Sequence, residues 1–211
     1  MTTKTLISWL MIICPIGMIA VFAGVEPAIM GEADESLPTQ DRILSTLNAF
    51  SDKELAGNVI NLVGLLFMIG WLSALAILGK TLNENGAALG SVASLVFTAV
   101  LAILAVSLGL SLGAIDLLAE GNTDAAVTLE LASESAWYGF PQLLGIGYAL
   151  LGLGLVLERN PLPRVLAGLF VLAGIALFIL APVGDGLGFL LFLISILLVI
   201  TSGIFLLRRS D

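Results

Sequence analysis

Long apolar runs alternate with short polar segments along this chain, and no run has a charged side chain in its middle. A bilayer core about 30 Å thick needs about 20 apolar residues of helix per crossing. The runs are continuously apolar, whereas the strands of a membrane barrel alternate, so helices are predicted. The pattern predicts an all-α integral membrane bundle, a single domain over residues 1–211. Its six transmembrane helices are expected at about 6–25, 55–79, 87–115, 136–157, 165–183 and 187–207.

The segment between the first two runs is too long for a simple turn. We expect Glu26-Pro27 to end the first helix, and the capping-box pattern of Ser51 and Glu54 to mark the start of the second. Between them, four apolar residues recur at helical spacing: Ile43, Leu44, Leu47 and Phe50. This predicts a short amphipathic helix on the membrane surface or over the mouth of the bundle.

The polar segment before the fourth run, residues 116–135, is predicted to be a loop. We expect either Asn122 or Thr123 to cap a helix in it, and Asp124 adds an acidic group. Trp137 and Tyr138 follow at the depth expected of an aromatic belt. The fourth helix should therefore begin close to residue 136.

Composition agrees with the membrane interpretation, and charge gives an orientation. Hydrophobic residues make up 59% of the chain and charged residues 11%, against about 45–50% and about 25% in soluble domains. Arg42 and Lys53 are the only bases on one predicted side, whereas the other side holds Lys4, Lys80, Arg159, Arg164, Arg208 and Arg209. The positive-inside rule then predicts cytoplasmic termini in a cell membrane, with a prokaryotic plasma membrane favoured.

The net charge of −8 includes no basic stripe, so nucleic-acid binding is not expected. The first run has features of a secretory signal: Lys4, an apolar stretch, and Val21-Phe22-Ala23 resembling a cleavage site. Against a signal, the run is about 19 residues long. Cleavage would also leave five helices and put the termini on opposite sides. We therefore expect the first run to be retained.

The third run carries a stripe of small residues. Spaced mostly by four, they are Gly86, Gly90, Ser94, Thr98, Ala102, Ala105, Gly109 and Gly113. In a bilayer, small residues at this spacing allow two helix backbones to approach closely. The third helix is therefore expected either to be central in the bundle or to contact another copy or a membrane-protein partner.

Catalytic chemistry is sparse in this sequence. There is no histidine, which excludes His-ligated haem, two-His metal sites and imidazole-based triads. Ser111 lies in a G-x-S-x-G match, but that motif needs a strand–turn–helix context and a base. Cys14 is a lone cysteine expected to be a buried thiol. We predict no catalytic residue, no metal site and no cofactor.

Polar residues near the predicted outer ends of the helices suggest a pocket. They are Asn58, Asn61, Asp116, Glu134, Tyr138, Gln142 and Asp185. Alternatively, the amides join helices by hydrogen bonds and the acids are solvated loop charges. Two functions stay open: a non-enzymatic membrane module, accessory or self-associating, and a carrier or channel for a small neutral or cationic solute. A carrier should have a broken helix near mid-membrane, for which Gly145, Gly147, Gly152 and Gly154 are the candidates.

The second half of the chain resembles a known family. The segment Asn160-Pro161-Leu162-Pro163-Arg164-Val165-Leu166-Ala167-Gly168, with Tyr138-Gly139-Phe140 and Gly-rich flanking helices, is similar to the bacterial domain-of-unknown-function family 4386. The resemblance covers residues 40–207. It implies about six helices and, because the family has no established activity, carries over no catalytic residue. Arg164 is the matching charged position, in the role of an inner-loop anchor.

Overall fold

Every regular element in the described part of the chain is a helix. The computed structural model describes residues 2–31, 36–158, 162–180 and 185–209. These residues form seven helices: α1 Thr3–Met30, α2 Thr39–Asp52, α3 Glu54–Lys80, α4 Ala87–Ala119, α5 Thr123–Leu157, α6 Arg164–Leu180 and α7 Asp185–Arg208. The all-α prediction is confirmed.

Five of these helices are long and apolar enough to cross a membrane. They are α1, α3, α4, α5 and the Gly186–Arg208 stretch of α7. By length and composition, they indicate a multi-pass membrane protein. The helix α6 is apolar too, but its 17 residues span about 25 Å at the helical rise of 1.5 Å per residue. Residues 181–183, which were predicted to continue that helix, lie outside the described residues.

The first helix does not end at Glu26-Pro27, so that prediction is wrong. A π-helical turn occupies Val21–Val25, and the Glu26 N–H donates to the Val21 carbonyl five residues earlier. This shift in the hydrogen-bond pattern precedes Pro27, which has no N–H to donate. The helix therefore continues to Met30 and stops at Gly31, whose φ is +90°.

The segment 116–135 is not a loop, and this prediction is also wrong. The helix α4 continues to Ala119, a short turn contains Gly121 at φ +82°, and α5 begins at Thr123. We name the two parts of α5 on either side of Gly139 as α5a (Thr123–Tyr138) and α5b (Phe140–Leu157). Ala126 and Val127 of α5a are buried in a hydrophobic cluster. This tertiary packing stabilises the helix although acidic residues interrupt the apolar pattern of its sequence.

The predicted amphipathic helix is present as α2, and it is longer than the apolar spacing indicated. It contains Ser51, which is therefore not the cap of the next helix; Lys53 alone separates α2 from α3. The apolar positions mark only the part of α2 that packs against protein. The helical hydrogen bonds continue into the polar residues on either side, which the apolar spacing does not indicate.

The chain divides into two compact units. Unit 1 comprises Met1–Ile16, Phe67–Ala102 and Gly139–Asp211, and unit 2 comprises Gly17–Leu66 and Ile103–Tyr138. The single domain over residues 1–211 stays a prediction.

Unit 1 is built on glycine contacts and an aromatic core. A Cβ added at Gly145 would lie 2.6 Å from the Gly174 carbonyl oxygen, so the backbones of α5b and α6 touch there. The Tyr148 ring, fully buried, packs against the rings of Phe97 at 5.9 Å and Phe170 at 5.5 Å. Lone Cys14 is buried, as predicted.

The apolar face of α2 forms part of the hydrophobic core of unit 2. Ile43 and Leu47 of α2 are buried against Ala114 of α4 and against Ala126 and Val127 of α5a. Full burial of a side chain of this size contributes about 1.5–3 kcal/mol relative to an exposed one. The apolar face of α2 is thus covered by protein.

Candidate functional site

A partly open cavity of about 340 Å³ lies within unit 2, between the first turns of α3 and the last turns of α4. Its lining residues are Glu54, Asn58, Asn61, Leu62, Leu108, Leu112, Ile115 and Asp116. We call this cavity the acidic cleft. It is the first candidate for a binding site.

The acidic cleft takes its polar groups from two helix faces. Glu54, Asn58 and Asn61 are four and three residues apart on α3, so they share one face. Asp116 of α4 completes the polar part, and leucine and isoleucine side chains form the rest. An ionised carboxylate can accept hydrogen bonds but cannot donate them, whereas the asparagine amides can do both. With two acids and no basic residue in its lining, the cleft suits a small ligand that carries a positive charge or N–H donors.

The structure brings together three of the seven residues predicted for an outer pocket: Asn58, Asn61 and Asp116. Glu134 instead pairs with Arg42 of α2, whose Nη2 lies 3.3 Å from each carboxylate oxygen. The Tyr138 side chain is 73% exposed and does not line the cleft.

The last two predicted residues belong to unit 1. The Gln142 side-chain oxygen is shielded from solvent and has no hydrogen-bond partner among the described residues. Asp185 begins α7, and its side chain lies outside the described part.

Sequence reasoning missed a cluster of serines between α4 and α5a. The Ser133 Oγ lies 2.9 Å from both the Ser107 Oγ and the Ser111 Oγ. The Glu130 carboxylate interacts with the Ser111 hydroxyl. The available signal was the four-residue spacing of Ser107 and Ser111 on one helix face, but nothing in the sequence indicated which residues would face them.

Glu158 was also missed as an organising residue. Its Oε1 accepts hydrogen bonds from the backbone N–H groups of Asn83 at 2.6 Å and Glu84 at 2.9 Å, and its Oε2 accepts one from Gly86 at 3.4 Å. These bonds, first the one from Glu84, lower the pKa of the Glu158 carboxyl, although burial acts in the opposite direction. The carboxylate thereby fixes the turn that leads into α4.

The predicted small-residue face begins at Gly86, in the turn before α4, and divides into two parts. Gly86 approaches the backbone of Gly154, Gly90 approaches that of Gly79, and Ser94 is buried. Gly113 is half-buried near Leu129. Four members are exposed: Thr98, Ala102, Ala105 and Gly109. We call these four the exposed small-residue face.

Within the described residues, no group of three or more histidine, cysteine, aspartate or glutamate side chains is placed to hold a metal ion. No protein-family model, no curated protein and no solved structure matches this chain.

Proposed function

We propose that this chain is a non-enzymatic membrane module with six crossings and cytoplasmic termini, and that it self-associates through α4. The observation that supports this most is the exposed small-residue face. Thr98, Ala102, Ala105 and Gly109 stay exposed. A Cβ added at Gly109 would meet nothing within 4 Å, so the surface beside the helix is open. Small residues of this kind allow a second helix to pack closely in a bilayer.

Basic residues at helix ends support the proposed orientation. Lys80 lies in the last turn of α3, Arg164 begins α6 and Arg208 lies in the last turn of α7. If α6 crosses as the fifth of six spans, all three fall on the same side as the termini. The resemblance to family 4386 stays a prediction alongside this topology.

The shape of α5b favours a module over a carrier. This helix is continuous through Gly145, Gly147, Gly152 and Gly154. Added Cβ atoms at Gly145 and Gly152 would lie 2.6 Å from backbone atoms of α6, and one at Gly147 would lie 2.6 Å from the Phe97 ring. These glycines therefore serve close packing, whereas carriers commonly use interrupted helices at mid-membrane.

The test compares two alanine-to-leucine substitutions in α4. Ala105→Leu adds bulk to the exposed small-residue face. Ala99→Leu makes the same change at another exposed alanine, six residues away and about 120° around the helix. Subunit counting in liposomes, at several protein-to-lipid ratios, should show dimers of the wild-type chain and of the Ala99→Leu control. Ala105→Leu should weaken dimerisation by roughly tenfold, the equivalent of about 1.4 kcal/mol. A monomeric wild-type chain, or equal association of the two variants, would contradict self-association.

The acidic cleft supports a second candidate function, binding of a small cationic solute. Choline and its neutral isostere 3,3-dimethyl-1-butanol differ in charge but hardly in shape. Choline should raise the melting temperature of the wild-type chain, because a ligand that binds only the folded state stabilises it. Asp116→Asn should abolish the shift, whereas Asp124→Asn, an exposed acid outside the cleft, should retain it. Equal shifts with both compounds would rule out recognition of charge.

A further inference from the structure

The serine cluster of unit 2 is an oxygen-rich site between α4 and α5a. The Ser107 and Ser133 side chains are each 2% exposed. Besides the two Oγ–Oγ contacts of 2.9 Å, the Ser107 hydroxyl donates to the Ser133 carbonyl at 3.2 Å, and the Ser133 hydroxyl donates to the Ser107 carbonyl at 3.0 Å. Four contacts at hydrogen-bond distance thus join three hydroxyl groups and two backbone carbonyl groups.

Each hydroxyl group of the serine cluster keeps lone pairs besides the proton that it donates. Each serine has one hydroxyl proton and two lone pairs, and the four contacts are alternative uses of the three protons. The Ser111 hydroxyl also interacts with the Glu130 carboxylate, which is a further acceptor. The cluster is therefore rich in oxygen lone pairs, which are the groups that a cation needs.

Glu130 adds a carboxylate beside these hydroxyl groups. Its Oε2 is shielded from solvent and has no hydrogen-bond partner in the described part of the chain. Glu134, one turn further along α5a, adds negative charge nearby. The neighbouring guanidinium, that of Arg42, is engaged by both oxygens of Glu134. A carboxylate oxygen that is shielded without a partner is unfavourable unless a positive charge compensates it.

We propose that Glu130, Ser111, Ser133 and Ser107 bind a sodium ion. Hard cations prefer oxygen ligands, and carboxylate, hydroxyl and carbonyl oxygens all occur here. One carboxylate balances one positive charge, which favours a monovalent ion over a divalent one. The site is separate from the acidic cleft, with which it shares no residue, and it does not depend on self-association.

The experiment measures thermal unfolding of the full chain in nanodiscs as sodium chloride replaces N-methyl-D-glucamine chloride at constant ionic strength and pH. Wild-type protein should show a saturable rise in melting temperature. Glu130→Gln should require at least roughly tenfold more sodium for half of that rise, because even loss of a residue that only supports a metal ligand costs about tenfold in affinity. Glu120→Gln, an exposed acid of the same unit, is the matched control and should behave as wild type.

Direct binding of radioactive sodium keeps the test independent of stability. Ser111→Ala should lower this binding while the protein remains folded, since it deletes one hydroxyl and leaves the helix intact. Absence of a sodium-dependent rise in the wild-type chain would overturn the proposal. So would an equal rise in Glu130→Gln. In a second series without sodium, a melting temperature that rises as the pH falls, with no response to sodium at any pH, would also overturn it, because Glu130 would then carry a proton in place of the ion.

Discussion

Glu158 shows how one side chain can organise a turn far from it in sequence. Its carboxylate accepts three backbone N–H groups of the turn before α4, more than seventy residues away. The side chain is only 7% exposed, although in sequence it is a single acid after an apolar run. Charge-assisted bonds of this kind are stronger than those between neutral groups. Glu158 is therefore expected to stabilise the folded state through its ionised form.

Glu158→Gln should lower the melting temperature at neutral pH and have little effect in acid. The folded-state pKa of Glu158 is lowered, so its contribution is fully present above the ordinary glutamate pKa of about 4.3. That contribution is lost as the pH falls through the folded-state pKa. The check is the melting-temperature difference between wild type and variant from neutral to acidic pH.

Glu84→Gln, an exposed acid in the same turn, is the control and should change little at any pH. A difference between wild type and Glu158→Gln that stays constant over the whole pH range would show that ionisation is not the cause.

At the scale of elements, glycines determine how closely the helices of unit 1 approach. A Cβ at Gly79 of α3 would lie 2.6 Å from the carbonyl oxygen of Gly90 in α4, whereas a Cβ at Gly168 of α6 would meet nothing within 4 Å. Both glycines lie within helices. Because only Gly79 faces a neighbouring backbone, replacement by alanine should have opposite effects on stability at the two positions.

Gly79→Ala should reduce the free energy of unfolding by about 1–3 kcal/mol, because backbone atoms must move apart to admit the methyl group. Gly168→Ala should leave that free energy unchanged or raise it by up to about 1 kcal/mol through helix propensity. Reversible denaturation in detergent measures both. A stabilising Gly79→Ala would contradict the close approach of α3 and α4.

At the scale of the whole molecule, the proposal of six crossings depends on α6. If its 17 residues cross the bilayer, the termini share one side; if they do not, the termini lie on opposite sides. Five apolar helices alone do not distinguish these topologies. The accessibility of the two termini to a reagent outside the cell distinguishes five crossings from six.

In a Cys14→Ser background, Thr2→Cys and a cysteine appended after Asp211 should both react with an impermeant maleimide only after permeabilisation. Asn122→Cys, in the turn between α4 and α5, should react in intact cells and serves as the external control. Labelling of the appended cysteine in intact cells, with Thr2→Cys protected, would exclude six crossings.

The apolar runs by themselves determined the helical class and the approximate positions of the helices, because lipid leaves the backbone few alternatives to internal hydrogen bonding. The errors lie at helix ends. Pro27 did not stop α1, and residues 123–135 are helical despite their acids, because a π-helical turn and burial of Ala126 and Val127 outweighed local preference.

Only tertiary structure decided which polar residues meet. Asn58 and Asn61 share a face that the sequence shows, but their contact with a cavity also lined by Asp116 depends on how α3 and α4 pack. The same holds for Glu158 with its turn and for Ser133 with Ser107 and Ser111. The spacing of residues along a helix shows which of them share a face, but it does not show which helix packs against that face. Contacts between side chains of different helices are therefore known only from the folded chain.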